Sequence, residues 1–234
     1  VTTRQQAAAI AQTSANSTTI DPRKAEADRL LEQGIQQYET GQFSAAIPLF
    51  EQALNLYLQL KDRGAEAATL GNLGSAYFSL RQYQQAIEFY EQRLVITREI
   101  KDRQAEARFL RNIGISFYAL GRYQQSIESF QQQLVIAREL NDRQGERDAL
   151  GNLGDAYNEL RQYQQAIPFH QQALAIARKI GDRQAETSAL EKLGIAYGEL
   201  GQYRQAIEFF QQFLAIVREL SNRQGEGITL RNLG

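Results

Sequence analysis

The chain has 234 residues, with 26 Lys and Arg against 27 Asp and Glu, one His, and neither Cys nor Met. A formal net charge of −1 argues against a general nucleic-acid binder, which needs a basic stripe to displace counterions from phosphates. The missing cysteines exclude disulfides, thiolate metal centres and cysteine nucleophiles, and a single histidine excludes a His-rich metal site or an imidazole relay. No apolar run approaches the ~18–20 residues that span a bilayer.

Residues 1–21 are dominated by Ser, Thr, Ala and Gln, the composition of a flexible leader, with a short helix expected over Gln5–Gln12. Within it, Ala7–Ile10 is a candidate for docking in a groove, its own or a neighbour's. The start at Val1 has no basic-then-apolar signal pattern. That pattern's absence favours a cytoplasmic setting and leaves an exported form open. The lack of Met and the stop at Arg231–Gly234 inside a repeat read as a fragment or processed form of a longer, multidomain protein. Asp21-Pro22 reads as a helix N-cap followed by Pro at the first helical position.

From there the chain repeats itself with a period of about 40 residues. Gly74, Gly114, Gly154 and Gly194 fall in register, as do Tyr83, Tyr123, Tyr163 and Tyr203, and Arg103, Arg143, Arg183 and Arg223. The blocks from Gly71 and Gly151 are identical at 26 of 40 positions. Full copies are placed at about 27–66, 67–106, 107–146, 147–186 and 187–226, with a partial sixth over 227–234, so the array spans 22–234. Each copy reads as two helices. Leu70, Leu73, Ala76, Tyr77 and Leu80 recur at three- and four-residue steps, and after the break at Arg81-Gln82 Tyr83, Ala86, Ile87, Tyr90, Leu94 and Ile96 run at helical spacing to about Ile100. Asp62, Asp102, Asp142, Asp182 and Asn222 are N-cap types at the start of the next pair. Gly41, Gly121 and Gly201 suit a left-handed position between the paired helices, where Arg81 and Arg161 stand in the alternate copies at a cost of ~1 kcal/mol each. Gly74, Gly154 and Ala86 mark close helix crossings. Pro48 and Pro168 fall early in second helices, where a lost N–H costs least. Such units cannot bury their apolar faces singly and must stack. The end of the stack is expected to leave Phe210 and Phe213 poorly covered and open to self-association.

Leu150, Leu153-Gly154, Tyr157, Ala166, His170 and Ala173 resemble the spaced signature of the tetratricopeptide repeat family. The long unit with Asn-Leu-Gly is similar to the arrays of kinesin light chains and Leu-Gly-Asn scaffold proteins. The Gln-rich style of Tyr163–Ile167 is similar to bacterial arrays attached to effector domains such as CHAT proteases and signalling ATPases. The resemblance implies an all-α, right-handed superhelical solenoid of antiparallel helix pairs, whose first helices line a concave groove that binds a protein or extended peptide. It places Asn72, Asn112, Asn152 and Asn232 in that groove, with Lys192 and Glu32 replacing the amide in other copies. Each Asn offers a donor and an acceptor, the pattern of a peptide unit. Four such contacts at ~0.5–1.5 kcal/mol each fall short of micromolar binding, so variable positions must add specificity.

Those positions are Phe78 in the second copy, Arg108, Arg111, Ile115 and Tyr118 in the third, Asp148, Asp155, Asn158 and Glu159 in the fourth, and Ser188, Glu191, Ile195 and Glu199 in the fifth. A groove basic in its middle and acidic beyond would take a ligand of mixed charge, with an acidic residue near Arg108 and Arg111 and a basic one near Asp155 and Glu159. The Lys/Asn set that clamps a C-terminal carboxylate is not met. Asp-Arg pairs such as Asp102-Arg103 read as caps plus ion pairs between repeats. His170, where other copies have Tyr90, Phe130 and Phe210, reads as a packed side chain. No nucleophile–base pair, metal set or phosphate loop can be assembled, so no enzyme activity, cofactor or metal is expected. The rival reading is a structural spacer or self-association arm for an effector domain.

Overall fold

In a computed structural model, residues 21–219 are described, and they form ten α-helices. In chain order these are α1 Pro22–Glu39, α2 Phe43–Leu60, α3 Arg63–Ser79, α4 Tyr83–Glu99 and α5 Arg103–Ala119. Then follow α6 Tyr123–Glu139, α7 Arg143–Glu159, α8 Tyr163–Ile180, α9 Arg183–Glu199 and α10 Tyr203–Glu219. No strand occurs among the described residues. The expected leader helix over 5–12, Asn222 and Asn232 lie outside them. Two compact units meet at Ala76–Tyr77, within α3.

The turns are as short as the chain allows because single residues serve two helices. Asn141 takes a left-handed conformation at the end of α6, and Asp142 N donates to Ala137 O at 2.9 Å. This closes α6 in a Schellman motif. The Asp142 carboxylate then accepts the Gly145 N–H at 2.9 Å and caps α7. Asp62, Asp102 and Asp182 repeat the arrangement on Ala65, Ala105 and Ala185. Asp21 caps α1 through Arg23 N, with Pro22 at the first helical position, as its sequence implies.

Within pairs, Gly41, Gly121 and Gly201 have positive φ, and Arg81 (60°) and Arg161 (57°) adopt the same conformation despite their Cβ. A second left-handed set, Lys61, Lys101, Asn141 and Gly181, separates the pairs. Periodicity does not single it out, because its residue type changes in almost every copy. The second helices that follow Gln42, Gln82, Arg122 and Gln162 start with no side-chain cap.

In the first unit α1 packs on α2 around Ala27, Leu30, Ala53 and Tyr57, and the buried Tyr57 hydroxyl donates to Asp28 at 2.7 Å. In the second unit each helix packs on the next, and the first helices α5, α7 and α9 also touch in succession. They therefore form the tighter layer, with α6, α8 and α10 outside it. Three apolar clusters fill the space between, around Phe109 and Ile113, around Leu150 and Leu153, and around Leu190 and Phe213.

A glycine meets a ring in four of the five pairs. A Cβ added at Gly114 would lie 2.6 Å from Phe130, at Gly154 2.5 Å from His170, and at Gly194 2.7 Å from Phe210. In the first unit Gly34 meets Phe50 in the same way. The expectation that Phe210 and Phe213 stand poorly covered is wrong: each is 5% exposed. Phe210 lies on Gly194, and Phe213 packs with Leu190, Leu193 and Val217.

The recurrent arginines do more than the Asp-Arg reading allows. Glu106, Glu146 and Glu186 are buried, and each is gripped by two arginines. Arg138 Nε donates to Glu146 Oε1 at 2.8 Å across the α6–α7 turn, and Arg143 Nη1 to Oε2 at 2.9 Å. Arg98 with Arg103 holds Glu106, and Arg178 with Arg183 holds Glu186. The far ends of Arg98, Arg138 and Arg178 reach Gln132, Gln172 and Gln212 of the following outer helix. Arg103 and Arg183 also pair with Glu139 and Glu219.

Burial pushes these three glutamate carboxyls up, and the arginine hydrogen bonds and charges more than offset it, leaving each below its ordinary 4.5. A depressed folded value means stability that is present above pH ~4.5 and lost as pH falls further. Glu146→Gln should cost about 1–3 kcal/mol at pH 7 and much less near pH 3, read from urea melts at both.

Candidate functional site

Three adjoining cavities lie on the inner layer of the second unit. The largest, about 510 Å3, is lined by Arg108 and Arg111 of α5, Gln133 of α6 and Asp148 of α7, with Asp102 and Asp142 at its edge. A smaller one of about 180 Å3 holds Arg111, Asn152, Asp155, His170, Ser188 and Lys192. The third, about 250 Å3, is formed by Ile115, Tyr118, Phe130, Asn152 and Asp155. The first helices supply most of this lining because their buried stripe faces the outer layer, which leaves the opposite edge open. Asn152 belongs to two of the three cavities.

Asn112 and Asn152 are half-buried, and neither carboxamide has a hydrogen-bond partner among the described residues. They are therefore not held by neighbouring helices. Asn72 is half-buried in the first unit. Phe78 is half-buried, its ring set edge-on against Tyr83 at 5.3 Å. Tyr118 does the same with Tyr123. Arg108 and Arg111 are exposed and make no ion pair.

The acidic half of the expected groove is largely spent inside the protein. Asp155 pairs with Lys192 at 3.0 Å. Asp148 is held by Arg147 at 2.6 Å, and Arg147 also reaches Asp182 at 2.5 Å. Glu159 accepts the hydroxyls of Tyr118 (3.1 Å) and Tyr123 (3.2 Å). Burial first, and the Glu159 charge second, push the Tyr118 hydroxyl well above its ordinary 10. Asp148 and Asp155 are thus paired within the protein, whereas Arg108 and Arg111, like Glu159, Glu191 and Glu199, make no ion pair among the described residues.

Asn158 also differs from its expected role. It turns into the helix pair, its Nδ2 lying 3.1 Å from His170 Nε2 and its Oδ1 buried without a partner. His170 is 2% exposed and fills the slot of Phe130 and Phe210, as its sequence position implies. Burial lowers its pKa from 6.5 to about 4, with Asp155 opposing and Lys192 assisting. With the Asn158 amide donating, the neutral ring accepts on Nε2 and carries its proton on Nδ1. No group of three or more His, Asp or Glu among the described residues could hold a metal ion.

A model of the tetratricopeptide repeat matches residues 24–99 and 105–179, and a second such model matches 189–224. The chain belongs to the tetratricopeptide repeat family. Its fold is the family's all-α helical-repeat superhelix. No curated protein matches it in sequence. Among solved structures, the apo form of RapI is 18% identical, with a TM-score of 0.82 over 94% of this chain and 61% of that one. BtubC from P. vanneervenii is 20% identical, with a TM-score of 0.71 over 88% and 94%. A Rap protein complexed with competence and sporulation factor is 18% identical, with a TM-score of 0.63 over 87% and 57%. These likenesses concern the fold.

Proposed function

We propose that this tetratricopeptide array is a protein-interaction scaffold that holds an extended peptide against α5, α7 and α9. One observation carries the reading: Asn152 lines two of the open cavities, and both it and the half-buried Asn112 keep carboxamides with no partner among the described residues. A half-desolvated carboxamide gains from a partner, and a peptide backbone offers the matching donor and acceptor. The Rap protein solved with competence and sporulation factor supports the idea that such a fold can carry a ligand.

Asn112→Ala with Asn152→Ala should weaken peptides selected on the parent by about tenfold, as two contacts of ~0.5–1.5 kcal/mol imply. Fluorescence anisotropy reads this, with unchanged melting as the control. Equal affinity of parent and double variant would remove the basis of the groove reading. The rival, a spacer that associates through its ends, requires mass by light scattering to rise with concentration.

A further inference from the structure

We infer that Arg93, Arg108 and Arg111 form a receiving site for the carboxylate of one Asp or Glu in a bound peptide. The inference rests on the groove reading and names the chemistry that selects its ligand. Arg93 lies on α4, and its Nε and Nη1 are buried with no hydrogen-bond partner. Its guanidinium sits 5.1 Å from the centre of the Phe109 ring, and that of Arg108 sits 5.0 Å from the same ring. Phe109 thus gathers two like charges, and Arg111 follows one helical turn after Arg108 on the same cavity wall.

Two buried, unpaired nitrogens on a half-buried guanidinium are costly, and packing does not demand them. The same repeat position holds Ala53, Gln133, Ala173 and Phe213 in the other copies. Ala68, Asp148, Ser188 and Ile228 stand where Arg108 does, and Gly71, Gly151 and Glu191 where Arg111 does, an arginine returning there only at Arg231. The cluster therefore belongs to one repeat and not to the fold.

The carboxylates nearby are already engaged. Asp102 and Asp142 cap helices, and Asp148 is bonded to Arg147. None of them lies at ion-pair distance from the three arginines, and only the Asp102 charge acts on one of them, Arg93. Their presence around the cavity repels a polyanion such as a nucleic-acid backbone, yet leaves room for a single planar carboxylate, which a guanidinium fork matches in two parallel bonds.

The test is selection of a displayed library of random, unphosphorylated decapeptides on the full chain, on Arg93→Met, on Arg111→Gln and on the Asn112/Asn152 double variant. Arg111 is exposed, so its variant keeps the fold even if Arg93→Met does not. The parent should enrich Asp or Glu at one position about fivefold or more, the discrimination a charge-assisted hydrogen bond provides. Both arginine variants should lose that enrichment, while the double Asn variant should recover fewer peptides with the enrichment intact. Peptides recovered without acidic enrichment, or enrichment that survives both arginine substitutions, would overturn the carboxylate site and leave the groove standing. Recovery of no peptide at all would overturn both.

Discussion

Gly154→Leu is expected to abolish folding of the α7–α8 pair, whereas Gly151→Leu, three residues earlier on the same helix, should be tolerated. The contrast follows from what a side chain would meet. At Gly154 a Cβ alone would lie 2.5–2.7 Å from three atoms of the His170 ring, and that ring is enclosed on all sides. At Gly151 nothing lies within 4 Å. Overpacking a tight core by one methyl costs about 1–3 kcal/mol, and a leucine has three further carbons to place against the same ring. The helix-propensity gain of ~1 kcal/mol on leaving glycine does not offset this at Gly154, but it is the main effect at Gly151. In a stack held by nearest neighbours, losing one pair uncouples those on either side. Circular dichroism melting should show reduced helicity and a broadened transition for Gly154→Leu, and an unchanged or raised midpoint for Gly151→Leu. Gly154→Ala combined with His170→Ala should recover part of the loss of Gly154→Ala, because the second truncation empties the space that the first invades.

Acidification from pH 7 to 5 is expected to cost the parent about 2 kcal/mol, and His170→Phe to remove most of that cost. His170 titrates near 4 when folded and near 6.5 when unfolded. Between those values the unfolded chain binds more protons, so stability is full above pH 6.5 and is lost as pH falls toward 4. The charged groups around the ring are Asp155, Lys192, Arg111, Arg147 and Asp148. Asp155 favours the protonated ring and Lys192 opposes it, and desolvation outweighs both. The clamped glutamates act in a different window, below about pH 4.5. Urea melts at pH 7, 6 and 5 isolate the histidine contribution. A parallel loss in parent and His170→Phe would assign the pH dependence elsewhere.

The elements legible in the sequence were those whose physics is local and periodic. Asp142 reads as a cap because a carboxylate before a helical stripe can bond the free N–H groups. Gly154 reads as a crossing because glycine inside a helix needs a compensating contact. What escaped depends on partners distant in sequence or on direction within a turn. Glu146 looks like a surface charge until Arg138, eight residues before it and across a turn, is brought onto it. Asn158 sits at a groove position by repeat count, yet the acceptor on His170, twelve residues on, draws it inward. Arg93 lies on a second helix, where a charge reads as solvated, and only the packing against Phe109 shows two of its nitrogens buried. The pairing of Asp155 escaped for a related reason: Asp155 and Lys192 belong to adjacent first helices, and pattern alone does not pair residues across the layer.

The most direct test of the central claim is side-chain NMR of the carboxamide and guanidinium groups during titration with a selected peptide. The signals of Asn112, Asn152, Arg108 and Arg111 are expected to shift together and saturate at one peptide per chain. Those of Gln132, Gln172 and Gln212, tied to arginines on the outer layer, should stay in place. Shifts confined to the three glutamines, with Asn112 and Asn152 silent, would contradict a peptide site on the inner layer.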